Sequence, residues 1–181
     1  MRKISLPLLV ATVLTAAALC ACSPKFDWRD YRSADAPYMV LFPAKPATHT
    51  RTINLDGEQV KMTMAAVEID DVMFAVGSAQ MADPAKAQLA AVAMKSAMVR
   101  NISGVVTSDK VSASSSGNGT LKGHQTILEV EANGTQKGES MRLIGRFIAK
   151  DDRIYQVIVV GRAKHMVTDS IDTFMSSFKL N

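Results

Sequence analysis

Two cysteines, three histidines and two Asp-Asp pairs are the residues of this chain whose types could do chemistry. Cys20 and Cys22 stand two apart in "LTAAALCACSPKFDW". That spacing suits a disulfide, half of a thiolate metal site or a processing signal. The residues before them decide. Met1-Arg2-Lys3 is basic, Ile4 to Leu19 is apolar, and small residues follow, which is the pattern of a secretory signal. The apolar run is interrupted by Ser5, Pro7, Thr12 and Thr15 and is shorter than the roughly 20 residues of a bilayer span.

Leu19-Cys20-Ala21-Cys22 fits a bacterial lipoprotein signal with Cys22 as the acylated residue, because a leucine stands three before it and a small residue just before it. Choosing Cys20 instead would put bulky Leu19 at the cut, and an ordinary cleaved signal would leave Cys22 as a free thiol. The expected organisation is a signal peptide at 1–21, a lipidated N-terminus and tether at 22–37, and one periplasmic domain at 38–181. Acyl chains on Cys22 would hold the membrane, since each buried methylene contributes about 0.8 kcal/mol. Cys20 would leave with the signal, so the domain would hold no disulfide, cysteine nucleophile or thiolate metal site. Ser23 stands where inner-membrane lipoproteins carry Asp, which points to the outer membrane.

The remaining polar residues read as structural. His49, His124 and His165 fall on different predicted elements without metal-ligand spacing. Asp70-Asp71 and Asp151-Asp152 sit where hairpins must turn, a task that suits Asp. The glycine-rich "SSSGNGT" lacks the lysine and helix of a phosphate cradle, and no GxSxG, HExxH or dinucleotide fingerprint occurs. Met62, Met64, Met94 and Met98 suit a sheet–helix core; a soft groove for an apolar ligand is the alternative. No catalytic, cofactor-binding or metal residue is assigned, and the chain reads as a non-enzyme.

Composition bounds the rest. A charged fraction of 21% beside 48% hydrophobic residues is that of a globular protein. The formal charge of +4 falls to about +2 once Arg2 and Lys3 are removed, so nothing favours nucleic acid as a partner.

The elements follow from periodicity. Strands are expected at Tyr38–Pro43, Thr48–Asn54 and Glu58–Glu68, then in "VMFAVGSAQ", with Asp56-Gly57 as a hairpin turn. Asp83 as N-cap and Pro84 open a helix to about Asn101. Its apolar arc joins a Leu89, Val92, Ser96, Val99 stripe to one of Ala91, Met94 and Met98. Strands return at Val105–Ser114, Gly123–Glu131, Glu139–Ala149 and "IYQVIVVG". A register with both polar rows on one face places Glu129 opposite Arg142 and Gln125 opposite Arg146. A last helix would carry Val167, Ile171, Phe174 and Phe178 on one face. The expected class is α+β: a mostly antiparallel sheet of two meanders flanked by two helices. Phe26, Trp28 and Tyr31 make the tether unusually aromatic; they suit packing on the domain or the lipid headgroup level.

The segments "YMVLFPAKP", "RIYQVIVVG" and "FMSSFKL" resemble those of PsbP-like bacterial envelope lipoproteins, and "FDWRDYR" resembles a group of uncharacterised proteobacterial lipoproteins. The resemblance implies an antiparallel sheet between helices and a role in binding partner proteins, with no site carried over. The function expected is a periplasmic binding or accessory domain, held to the membrane by lipid on Cys22, that takes a protein partner or small apolar ligand in envelope maintenance. An enzyme with an unrecognised site and a purely structural subunit are the alternatives.

Overall fold

A computed structural model of the chain describes residues 25–55, 57–116 and 123–181, with side chains at all of these except 115, 116, 123 and 124. Cys20, Cys22, Asp56 and the side chain of His124 lie outside the described residues.

Hairpins build the main sheet. In chain order the elements are β1 (Arg29–Arg32), β2 (Tyr38–Phe42), β3 (Ala47–Leu55), β4 (Glu58–Ile69), β5 (Val72–Gln80), α1 (Pro84–Asn101), β6 (Val105–Ser116), β7 (Gly123–Gln136), β8 (Glu139–Lys150), β9 (Arg153–Arg162), a 3-10 turn (Ala163–His165), α2 (Thr168–Ser177) and β10 (Lys179–Leu180). A seven-stranded antiparallel sheet runs β3-β4-β5-β9-β8-β7-β6, so two meanders meet where β5 pairs with β9. The class is α+β, as the pattern predicts. A second, three-stranded sheet, β1-β2-β10, was not expected. It takes β2 out of the first meander and draws Arg29–Arg32 out of the segment read as a tether, pairing Arg29 with Phe42.

The sheet has two cores. On one face α1 packs against Leu128, Leu143, Phe147 and Ile158. On the other, the small sheet and α2 bury Tyr38, Phe42, Phe74, Tyr155 and Phe174. Strand alternation assigns the faces as expected in β4, where Val60, Met62, Met64 and Ala66 belong to the α1 side. Met62 and Met94 are buried there, and Met64 and Met98 pack against them, so the four methionines are core.

Asp83 caps α1 by accepting from the Lys86 amide at 2.8 Å, an interaction typically contributing about 1 kcal/mol. The side α1 turns inward carries one of the two expected stripes and not the other. Ala87, Ala90, Ala91 and Met94 are buried, whereas Leu89 and Val92 are 61% and 49% exposed. Small residues face small residues, Ala132 and Ala149 among them, so helix and sheet approach closely.

The β7–β8 register also needs correction. Glu129 lies opposite Arg146, and Arg142 lies opposite Asn133. The turn is Lys137-Gly138, with φ of 52° and 80°, the two left-handed residues of a type I′ hairpin. Asn133-Gly134 stays in the strand because α1 ends against it. Thr135 donates to the Ile102 carbonyl at 2.8 Å, and a Cβ at 134 would run into that same oxygen. The slip keeps parity, so the polar row stays on its predicted face. In α2, Ile171 and Phe174 are buried, but Val167 is 42% exposed and Phe178 follows the helix.

Candidate functional site

One end of the seven-stranded sheet gathers the β4–β5 turn, the β7–β8 turn, the end of β9 and the C-terminus of α1. The chain enters at this end too. Lys25 Nζ lies 2.8 Å from Asp70 Oδ2, and this bond and charge hold the Asp70 carboxyl below its usual range. Both groups are about half exposed, so the pair contributes little. The entering chain is held instead by β1 and by Trp28 and Tyr31, which pack against the aromatic core.

Asp70 and Asp71 have φ of 49° and 62°, a type I′ turn that Asp tolerates. His165 Nδ1 lies 2.8 Å from the Asp70 carbonyl and 3.6 Å from Asp71 Oδ2. Arg162 reaches Asp71 at 3.5 Å and Glu139 at 3.9 Å. Position 161 must be glycine, since a Cβ would strike the Asp71 carbonyl. The cluster ties three strand ends together.

Inside this rim is an open cleft of about 440 Å³. Met73, Met98, Met141 and Val160 line it, with Glu68, Asp71, Glu139 and Arg162 also on its walls. It offers adaptable apolar surface below mixed charge. Sequence reasoning missed Met73 and Met141 as a pair because they come from different meanders; only the β5–β9–β8 pairing brings them to one cleft.

The outer side of α1 is the second surface. Lys86 binds Glu58, which raises the lysine pKa, and Lys95 bonds both Asp109 oxygens at 2.9 and 2.8 Å. Both lysines of this side are thus paired with carboxylates. A recess of about 220 Å³ beside Leu89 is lined by Leu55, Met81 and Ala90 and by the Glu58–Lys86 pair.

The third is a cleft of about 350 Å³ between α2 and β6–β8. Four of its charges form two pairs: Arg146 with Glu129 at 2.7 Å and Arg142 with Glu131 at 3.1 Å. Arg146 also donates to the Met175 carbonyl at 3.2 Å, tying α2 to the sheet.

The singled-out residues do not converge. His49 is exposed on β3 and His165 pins the Asp70 turn. Asp151, at φ 52°, turns β8 into β9, and the Asp152 carbonyl accepts from the Met81 amide at 2.7 Å. Among the described residues no three His, Cys, Asp or Glu side chains form a metal-holding group, and no helix is long and apolar enough to cross a membrane. No family model matches the chain, and no curated protein matches it.

Proposed function

We propose that this chain is a bacterial envelope lipoprotein of the PsbP-like kind, anchored to the outer membrane through acylated Cys22, whose domain binds a partner protein through the outer side of α1. The signal pattern ending Leu19-Cys20-Ala21-Cys22 supports the anchor. The exposure of Leu89 (61%) and Val92 (49%) carries the partner reading. Two large apolar side chains lie open there, beside lysines whose charges are paired with Glu58 and Asp109. Apolar surface of this kind is what protein interfaces desolvate.

A photo-crosslinking residue in place of Leu89 should capture a reproducible envelope protein in living cells. The same residue in place of exposed Gln59 should not. In the crosslinking strain, Val92→Glu should abolish capture without lowering the melting temperature. Capture unchanged by Val92→Glu would overturn the reading. For the anchor, Cys22→Ala should release the protein from membranes while Cys20→Ala leaves it attached.

A second reading, binding of a small apolar ligand, is favoured by the cleft over Met73, Met98 and Met141. Met141→Lys should abolish such binding and leave the Leu89 crosslink intact.

A further inference from the structure

We infer that the end of the sheet where the chain enters rests on the bilayer, with Phe26 and Trp28 at the level of the lipid headgroups. The inference rests on the Cys22 anchor. Cys22 stands three residues before Lys25, and three residues span at most about 11 Å when fully extended. The lipid attachment point therefore lies within that distance of Lys25, which is itself bound at the Asp70 turn. There is no slack to take up after that point. The Asp27 amide donates to the Pro43 carbonyl at 2.9 Å, and Arg29 is already in β1. A domain on so short a leash cannot present its opposite end to the membrane.

The chemistry of this end suits that position. The Phe26 and Trp28 rings are 5.9 Å apart, and each is only partly buried. The Lys25 ammonium sits 5.5 Å from the Phe26 ring centre. Aromatic rings beside a cation are the residues that settle at a membrane–water interface. Val167 is exposed at this end, next to the 3-10 turn that carries exposed Lys164. The far end, around the Gly57 turn, stands as much as about 40 Å away along the twelve-residue β4. In this orientation the methionine-lined cleft opens beside the lipid surface.

Trp28 is the only tryptophan of the chain, so its fluorescence reports on one place. The acylated protein, purified from membranes, is reconstituted into vesicles of phosphatidylethanolamine and phosphatidylglycerol with brominated acyl chains. Because Trp28 also packs against the aromatic core, the readout is quenching: bromine near the headgroup should quench its emission, more strongly than bromine near the chain end. Nitroxide labels at Lys164→Cys and Gln59→Cys, both exposed positions, give a second reading. The first should be relaxed more by oxygen, which concentrates in lipid, and the second more by water-soluble reagents. Unquenched Trp28, or equal water exposure of the two labels, overturns the inference. Mass spectrometry of the same sample separates the failures. Acylated Cys22 with unquenched Trp28 removes the orientation alone; unacylated Cys22 removes the anchor and the orientation with it.

Discussion

The two cores of this protein are built from different material. The α1 side is aliphatic, small and methionine-rich, with Phe147 as the one ring among its buried residues. The opposite side interlocks rings: Phe174 lies 5.3 Å from Phe42 and 5.4 Å from Phe74, and Tyr38 lies 5.6 Å from Phe178 and 6.1 Å from Tyr155. The difference follows from what each side must hold. A single long helix can seat closely on alanines. The ring side must instead fasten three short strands, a ten-residue helix and both ends of the described chain. Large side chains that reach across gaps do this better than backbone pairing of four or two residues.

Truncation should therefore hurt the ring side most. Phe174→Ala is expected to cost about 3–5 kcal/mol, read as a drop in the denaturation midpoint, because Phe174 is fully buried and meets two other rings. A cost below that of truncating Val60, at the edge of the aliphatic core, would break the comparison.

Alkali should also single out the ring side. Burial raises the Tyr38 and Tyr155 phenols above their usual value of 10.0. The folded protein then keeps protons that the unfolded chain releases. Stability is whole below pH 10 and falls as pH rises above it. Urea melts at pH 9 and 11 should show this loss, and the difference should be smaller in Tyr38→Phe.

The aliphatic side should fail by overfilling. Ala91→Leu, at a fully buried helix position, should cost about 1–3 kcal/mol, measured by thermal melting. An unchanged melting temperature would mean the helix does not seat on small residues. The smallest effect belongs to the polar half-face. A double-mutant cycle on Glu129 and Arg146 should give a coupling of about 0.2–1 kcal/mol, since both side chains are partly exposed.

Much of the fold was legible because its signals are local. Asp83-Pro84 opened the helix, Asp70-Asp71 and Asp151-Asp152 turned hairpins, and Glu129 shared a polar row with Arg142 and Arg146. The errors arose where distant partners decide. The β7–β8 pairing slipped from the expected register because Lys137-Gly138 makes the turn and Asn133-Gly134, with the end of α1 against it, stays strand. Of the two expected stripes of α1, Ala91 and Met94 turn inward as expected, but Leu89 and Val92 face out and Ala87 and Ala90 are buried. The surfaces were less legible than the fold, because Met73 and Met141 become neighbours of one cleft only through pairing between meanders.

The sequence by itself determined the α+β class, the antiparallel meanders, the start of α1 and the faces of β4, β7 and β8, all of which follow from a period of two or from residues within one turn. Tertiary structure alone decided which of the two apolar stripes of α1 is buried, which residues turn β7 into β8, and that β1 and β10 would embrace β2. Each of these is a competition between similar local options, settled by how closely two elements far apart in the chain can pack.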